Sequence, residues 1–236
     1  MPLYGVKVNG ERKNLFVELD KAREIKAAVV GQGGKAAIFK HSAEEIRIRD
    51  AKEAEDQFFD LGMKYYIAAR SSAVLIGLMP VCGNLYHHAV EMFLKTGLCR
   101  NYSLSDLGSP KKFGHCLPKL WKAFNADFAS TTLRQFDTVI PTLQRWEDIR
   151  YPDKVLREGA VMEVVWVENT FPTFPTAEST SLPRYQVNWK KLDKFVITTF
   201  YILQKSSAKF KFIVNNNATL REILTRYNAD AEQIWA

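Results

Sequence analysis

Apolar side chains recur every three or four positions along most of the chain, which is the spacing of one buried helix face. The first stripe starts at Ala51 and continues through Phe58 and Tyr65. Four further stripes follow, and their first members are Cys82, Leu117, Leu133 and Leu192. Short turns between successive helices favour antiparallel pairs. The pattern therefore predicts a mainly α-helical protein.

Glycine and proline predict where these helices begin and end. Gly77 can close the first helix in the left-handed conformation, and Pro80 suits the first turn of the next helix, where its missing amide hydrogen costs nothing. Ser130 or Thr131 is placed to cap the fourth helix. Pro141 lies inside that helix and is expected to kink it or split it in two.

Two parts of the chain lack helical spacing and favour strands. Residues 1–40 contain the pair Asn9-Gly10, which suits a tight hairpin turn, and a glycine-rich turn at 31–34. A valine-rich run lies within residues 159–168. The sequence thus predicts a small β appendage built from the N-terminal region and this run.

The C-terminal part mixes several patterns. Residues 168–187 are rich in Pro and Thr and are predicted to form a loop. Helical spacing returns at Leu192. A short β-like run at 210–214 and a terminal helix that starts at Thr219 or Leu220 complete the chain.

These boundaries predict three parts. A β-rich appendage covers residues 1–45, and a helical bundle covers residues 46–206 with a β and loop insertion at about 154–187. Residues 207–236 form a C-terminal extension that contains a strand and a helix.

The composition favours a protein that works inside the cell. The chain has 236 residues and a formal net charge of +7, so it can bury a sizeable core and favours anionic partners. Its three cysteines, Cys82, Cys99 and Cys116, show no C-x-x-C spacing, and a reduced cytoplasmic setting is expected. The N-terminus lacks the apolar run of a secretory signal, and no apolar segment has the length of a membrane span. We expect no membrane association.

Three segments carry a resemblance to a known family. They read GNLYHHAVEMFLK at 83–95, GHCLPKL at 114–120 and RYPD at 150–153. In this order they resemble the HEPN family, which has an H-x-A-x-E-x-x-x-K line on one helix, a G-H-x-L-x-x-L start on another and an R-Y-P helix end. The likeness spans about residues 51–206. It implies an antiparallel up-and-down helical bundle, often dimeric, of the kind found in toxin–antitoxin, antiphage defence and nucleotidyltransferase-associated proteins.

Some HEPN proteins cleave RNA with an R-x4-6-H pair near the end of a late helix. Here that place reads RWEDIR at 145–150, so Arg150 stands at the histidine position. A guanidinium group stays protonated and cannot move protons at neutral pH, but it binds phosphate through a planar fork. The resemblance therefore favours anion binding over catalysis. The alternative is that Arg150 forms an ion pair with Glu147 or Asp153 at the helix end.

The resemblance and the basic residues together predict a phosphate-binding site. Its members are Arg145, Arg150, Tyr151, Lys95 and His115. In an α-helix the two arginines are about 140° apart around the axis, so they do not share a face within one chain. In a dimer, one arginine from each chain can line a common groove. His115 is also expected to form a hydrogen bond at the start of the third helix rather than to act in catalysis.

A metal site at His87, His88 and Glu91 is a second interpretation, because His87 and Glu91 share a helix face at i, i+4. Such a site needs further ligands, for example His115 or Cys116, and nothing in the sequence brings these residues together. A Glu91 to Lys95 ion pair on the helix surface is the simpler interpretation. We predict no metal and no cofactor.

These inferences predict a non-catalytic, HEPN-like dimerising module that binds a nucleotide or RNA phosphate, or a protein partner, in a regulatory or defence role. One alternative is a HEPN-type, metal-independent endoribonuclease with displaced catalytic residues, for example His87, His88 or His115. Another is a purely structural partner of a nucleotidyltransferase. The expected partners are a second copy of the chain, a nucleotide or RNA, and a nucleotidyltransferase protein.

Overall fold

The computed structural model of the protein describes residues 2–13, 15–76, 78–165, 182–204, 208–228 and 230–231. The chain divides into two compact units, Met1–Glu53 and Ala54–Ala236. Helices predominate and the strands form two small sheets, so the predicted mainly helical class is confirmed. None of the helices in the described ranges combines the length and the apolar composition of a membrane-spanning segment.

The N-terminal unit contains a three-stranded antiparallel sheet. Its strands are β1 (Tyr4–Val8), β2 (Glu11–Arg12) and β3 (Ala36–Lys40), in the order β2-β1-β3. Asn9 and Gly10 form the turn between β1 and β2, with φ angles of 50° and 88°. Asparagine and glycine adopt this left-handed backbone most readily. The predicted hairpin is confirmed.

The same unit contains the helix α1 (Leu19–Gly31), so the prediction that residues 1–40 lack a helix is wrong. Ala22 is the only buried residue of α1, and most of its other side chains are exposed. A helix with such a narrow buried stripe shows little apolar periodicity, although Ala, Lys, Arg and Glu all favour helix. The predicted glycine turn does follow α1, and Gly33 has a φ of 78°.

Two long helices follow in the chain. The first, α2 (Ala43–Ser71), contains the boundary between the two units and continues into a π-helical turn at Ser72–Ile76. The second, α3 (Met79–Leu98), has Pro80 in its first turn, as predicted. Gly77, the predicted helix terminator, lies outside the described residues.

A short helix and a third amphipathic helix come next. The short one is α4 (Leu104–Gly108), and its capping box is formed by Ser103 and Asp106. The amphipathic helix is α5 (Leu117–Phe128), which buries Leu120 and Phe124 on the predicted stripe. This confirms the third predicted helix.

The predicted fourth helix consists of three short pieces. They are a 3-10 segment at Thr131–Phe136, α6 (Val139–Gln144) and a second 3-10 segment at Arg145–Ile149. The first break lies before Pro141, which becomes the third residue of α6. Backbone amides in the first turn of a helix have no partner within the helix, so proline loses no hydrogen bond there. The predicted split is confirmed, and a further short helix, α7 (Pro152–Glu158), follows.

A second sheet pairs β4 (Val161–Val165) in parallel with β5 (Arg184–Asn188). The strand β4 confirms the predicted β run at 159–168 over Val161–Val165, and residues 166–168 lie outside the described residues. Among the described residues β4 pairs with β5 and not with the N-terminal sheet. Most of the predicted loop at 168–187 lies outside the described residues, and the prediction is wrong at its end, where β5 begins at Arg184. Buried and accessible positions alternate along β5, as expected for a strand. A run of only five residues is too short for this alternation to identify a strand from the sequence alone.

The C-terminal part of the described chain is helical. It contains α8 (Trp189–Leu203), α9 (Ala208–Asn215) and α10 (Ala218–Thr225). The helix α8 confirms the last apolar stripe, and the side chain of Asn217 caps α10 close to its predicted start. The predicted strand at 210–214 is wrong because these residues belong to α9. A short apolar run fits a strand and a packed helix equally well, and periodicity alone does not separate them.

The core of the C-terminal unit brings α3 against the aromatic side chains of its neighbours. The closest approach is that of Gly83 to the indole of Trp146, where an added Cβ would lie 2.1 Å from Cδ2 of the ring. The largest fully buried side chains of the described residues include Trp146, Trp189, Arg70, Tyr66, Tyr86, Tyr185, Phe93, Phe124, Phe136 and Phe195. This core packs closely around α3, and α3 carries most of the polar residues described below.

Candidate functional site

Four polar side chains meet on one side of α3. We name them the Glu91 cluster: His88, Glu91 and Lys95 from α3, and His115 from the loop before α5. The α3 residues are three and four positions apart, so they share a helix face. Glu91 is completely buried, whereas the side chain of His115 is 59% exposed. The cluster therefore extends from the interior to the surface.

Both carboxylate oxygens of Glu91 have partners. Nζ of Lys95 donates to Oε1 at 2.6 Å, and Nδ1 of His115 lies 3.1 Å from each oxygen. Nδ1 of His88 lies 3.5 Å from Oε2. These contacts offset the loss of water around a buried carboxylate. The predicted Glu91 to Lys95 pair is present, but it is buried and does not lie on the helix surface.

The charge of the cluster is set by Glu91 and Lys95. Burial on its own would raise the pKa of Glu91, but hydrogen bonds from His88, Lys95 and His115 outweigh it and lower the pKa to about 2. Glu91 is therefore ionised at neutral pH. Lys95 supplies a positive charge of equal size next to it, so the pair is close to neutral at short range.

The loop before α5 places His115 beside Glu91. Gly114 precedes it with a φ of 52°, and a Cβ at Gly114 would lie 3.0 Å from Cα of Pro110. Both the backbone angle and the limited space favour glycine at this position. The Gly-His pair of the sequence thus has a local role in directing the imidazole.

His115 does not hold the start of α5, so that part of the sequence prediction is wrong. Its Nδ1 contacts Glu91, and the residue at the helix N-cap is Cys116, whose side chain makes no capping hydrogen bond. The amide of Leu117 instead donates to Oε1 of Gln144 at 2.7 Å. The side chain of Gln144 in the neighbouring α6 therefore accepts a hydrogen bond from a backbone amide at the start of α5 that has no partner within the helix.

His87 is directed to a different carboxylate, Glu147. Its Nδ1 lies 3.3 Å from the carbonyl oxygen of Leu143, and its Nε2 lies 3.7 Å from Oε2 of Glu147. Burial lowers the pKa of His87. A neutral imidazole has one N–H donor, so it satisfies only one of these two oxygens. The grouping of His87 with Glu91, which the alternative metal-site interpretation required, therefore does not form.

Two aromatic rings of α2 border the Glu91 cluster. The ring of Tyr65 has its centroid 5.3 Å from that of His88. Nζ of Lys95 lies 6.0 Å from the centroid of Phe58. His115, on the other hand, has no such ring contact with α2 among the described residues and is the most exposed member of the cluster.

The structure brings two of the five predicted phosphate residues, Lys95 and His115, together on Glu91. Among the described residues Arg150 bonds to a different carboxylate: its Nη1 donates to Oε1 of Glu147 at 3.1 Å, and the side chain remains 41% exposed. The ion pair of Arg150 with Glu147 was the alternative interpretation, and it is confirmed.

Arg145 and Tyr151 form no hydrogen bond or ion pair with Glu91 in the part of the chain that the structure describes. The guanidinium of Arg145 stacks over the ring of Tyr185 on β5, 5.4 Å from its centroid. Tyr151 precedes α7 and is 68% exposed. The assumed α-helical geometry between the two arginines is wrong, because Arg145 begins a 3-10 segment and Arg150 follows its end. A 3-10 segment has three residues per turn instead of 3.6, so the angle of about 140° between the two arginines, which assumes an α-helix, does not apply.

His88, Glu91 and His115 together offer metal-ligand chemistry that the sequence analysis set aside. Each residue supplies one ligand atom, and these atoms all lie within 4.8 Å of one another. The signal for this cluster in the sequence is the H-x-x-E-x-x-x-K spacing at 88–95, followed by the Gly-His pair at 114–115. Spacing places the α3 residues on one face, but only the packing of α5 against α3 adds His115.

Comparison with known proteins finds no matching family model, no similar curated protein and no similar solved structure. The geometry and chemistry of the Glu91 cluster and its neighbours are therefore the observations that bear on function.

Proposed function

We propose that the protein is a HEPN-like, up-and-down helical module that binds a phosphate group of a nucleotide or an RNA in a regulatory or defence role. The observation that carries this proposal is the exposed imidazole of His115, which the buried carboxylate of Glu91 contacts at Nδ1. A homodimer and a nucleotidyltransferase partner belong to the same proposal through the family resemblance.

His115 is suited to bind an anion because one of its nitrogen atoms is already engaged. The contact with Glu91 orients the ring, and Nε2 has no hydrogen-bond partner among the described residues. Lys95 compensates the charge of Glu91, which reduces the repulsion between the carboxylate and an incoming phosphate.

Arg150 supplies a second group for the same ligand. One of its five N–H donors bonds to Glu147, and the guanidinium is partly exposed. The pKa of Arg150 is raised, mainly by Glu147 and to a smaller extent by the charge of Glu91. Arg150 therefore lies within electrostatic reach of the Glu91 cluster.

The positions of the three HEPN-like segments also support the proposal. The segment 83–95 lies in α3, and 114–120 leads into α5. The segment 150–153 follows the 3-10 turn that carries Glu147. Side chains of the first two segments meet where His115 contacts Glu91. Side chains of the first and third segments meet at Glu147, which lies near both His87 and Arg150.

The test is equilibrium binding of fluorescently labelled single-stranded RNA and of labelled ATP to the full chain. His115→Asn is the informative variant, since its amide can replace the Nδ1 contact with Glu91 but offers nothing in place of Nε2. We expect it to weaken binding by at least about tenfold, the size of a lost charge-assisted hydrogen bond. Lys122→Ala, on the exposed face of α5, is the control and retains binding. Equal affinity of wild type and His115→Asn for both ligands would remove the proposal.

A second candidate function is metal-independent cleavage of RNA. The observation that favours it is a pair of imidazoles on one carboxylate: the ring centroids of His88 and His115 are 6.4 Å apart. One imidazole would take the proton from the ribose 2′-hydroxyl while the other gives a proton to the departing 5′-oxygen. The products would be a 2′,3′-cyclic phosphate and a free 5′-hydroxyl.

Incubation of the protein with structured RNA in excess EDTA separates the two functions. Cleavage that produces cyclic phosphate ends, and that is lost in both His88→Ala and His115→Asn, would establish the second function. A substrate with deoxyribose at each position must stay intact, because it lacks the attacking hydroxyl. Intact RNA under conditions where it binds to the protein supports the phosphate-binding module.

A further inference from the structure

We propose that His88, Glu91 and His115 form a binding site for a divalent transition-metal ion of the zinc class. Their ligand atoms lie within 4.8 Å of one another, and two of the three residues come from one helix, α3. The proposal goes beyond the proposed function, and its test measures the metal directly. Its outcome is therefore independent of whether phosphate binds.

The distances between the ligand atoms are close to those of a tetrahedral site. Zinc binds nitrogen and oxygen at roughly 2.0–2.2 Å, which places adjacent ligand atoms roughly 3.4 Å apart. Nδ1 of His88 lies 3.5 Å from Oε2 of Glu91, and Nδ1 of His115 lies 3.1 Å from the same oxygen. The third separation, between the ligand nitrogens of the two imidazoles, is no more than 4.8 Å.

The ligand set suits transition metals better than calcium or magnesium. Two imidazole nitrogens and one carboxylate oxygen match the preferences of Zn²⁺, Co²⁺ and Ni²⁺, whereas Ca²⁺ and Mg²⁺ prefer oxygen ligands throughout. An ion bound here replaces the hydrogen between each Nδ1 and the carboxylate. The remaining ring hydrogen then stays on Nε2, so both imidazoles bind as neutral ligands.

Three protein ligands leave a fourth position for water or a substrate atom. His115 is 59% exposed and His88 is 18% exposed, so an ion reaches the site from the surface side of the cluster. Open sites of this kind are typical of catalytic zinc, whereas structural zinc is enclosed by four protein ligands. The class of ligand expected at the open position is water or an anionic oxygen.

Lys95 determines how tightly the site binds its ion. Its Nζ lies 2.6 Å from Oε1 of Glu91, while His88 approaches Oε2, so the two oxygens have different partners. Lys95 can therefore keep its hydrogen bond to Oε1 when an ion binds Oε2. Residues that hydrogen-bond to a metal ligand in this way orient it towards the ion. The positive charge of Lys95 nevertheless repels a divalent ion. Lys95→Met removes this charge and is expected to strengthen metal binding, an effect that loss of folding cannot imitate.

The experiment uses the full chain without an affinity tag, freed of metal with EDTA and then desalted. Titration with Zn²⁺ by calorimetry is expected to show one ion per chain, and Co²⁺ is expected to give the intense visible absorption of tetrahedral coordination. Ca²⁺ and Mg²⁺ should bind at least tenfold more weakly. Circular dichroism verifies that each variant is folded.

The variants assign the site to its residues. His88→Ala, His115→Ala and Glu91→Gln are each expected to weaken Zn²⁺ binding by at least about tenfold. Cys116→Ser, which removes the adjacent thiol, is the matched control and should bind like the wild type. The proposal is overturned if the double variant His88→Ala, His115→Ala binds Zn²⁺ as tightly as the wild type, or if Lys95→Met binds it more weakly while remaining folded.

Discussion

Arg70 and Asp193 form an ion pair in the interior of the C-terminal unit, and neither side chain is more than 5% exposed. Oη of Tyr66 donates to Oδ1 of Asp193 at 2.6 Å. Nε of Arg70 donates to the carbonyl oxygen of Ile223 at 2.9 Å, and Nη2 contacts that of Arg226. One arginine of α2 is therefore joined to α8 and to the end of α10.

Breaking this pair from one side is expected to destabilise the protein strongly. Asp193→Asn should lower the free energy of unfolding by about 3–5 kcal/mol, because the charge of Arg70 stays buried without an opposite charge. Replacement of both residues, Arg70→Met with Asp193→Leu, should cost less than the sum of the two single changes. Urea unfolding of the wild type, the single variants Arg70→Met and Asp193→Leu, and the double variant gives the coupling energy. The matched control is Asp153→Asn, which breaks an exposed pair with Arg157 and should have a much smaller effect.

The contact of Gly83 with Trp146 predicts a tightly constrained position in α3. A methyl group at residue 83 would lie 2.1 Å from the indole, so Gly83→Ala forces a side chain or the backbone to move. We expect a loss of about 1–3 kcal/mol in the free energy of unfolding. Gly31→Ala at the end of α1 meets no atom within 4 Å and should be neutral or slightly stabilising. Thermal unfolding of both variants checks the difference, and equal stability would contradict the close packing.

The depressed pKa of Glu91 predicts a component of acid sensitivity. The pKa is about 2 in the folded protein against an ordinary value of 4.5, so the unfolded chain binds the proton first as the pH falls. The stabilisation is therefore complete above pH 4.5 and is lost as the pH falls towards 2. Its size is about 3 kcal/mol.

The comparison that isolates this component is the pH dependence of urea unfolding in wild type and Glu91→Gln. The variant should be less stable at neutral pH, because Lys95 loses its partner, and its stability should fall less steeply in acid. Glu158→Gln on the exposed side of α7 serves as the carboxylate control and should follow the wild-type curve. Parallel curves for wild type and Glu91→Gln would contradict the assignment.

Features that depend on local backbone preference could be predicted from the sequence. The hairpin at Asn9-Gly10 follows from two residues that tolerate positive φ, and the start of α3 follows from Pro80. The strand β5 and the helix α9 could not be predicted in this way. Each is a short segment whose conformation depends on packing or pairing with residues elsewhere in the fold.

The same distinction applies to the Glu91 cluster. Helix spacing places His88, Glu91 and Lys95 on one face, so three of its four members are visible in the sequence. His115 follows Glu91 by 24 residues and joins it only because α5 packs against α3. The burial of Glu91 also depends on this packing. The sequence alone indicates an ordinary surface ion pair, whereas in the fold the ionised carboxylate of Glu91 is buried and contacts two imidazoles.

The last prediction distinguishes Arg150 from Arg145, which the sequence analysis assigned to the same phosphate site. The guanidinium of Arg150 is partly exposed near the Glu91 cluster, whereas that of Arg145 stacks on Tyr185. Arg150→Gln is therefore expected to weaken RNA binding and to reduce the slope of log affinity against log salt by about one. Arg145→Gln should leave both quantities unchanged. If Arg150→Gln instead lowers only the melting temperature, its ion pair with Glu147 is structural and the phosphate contact is absent. Measurement of both variants at three salt concentrations, with melting curves for each, decides between these outcomes.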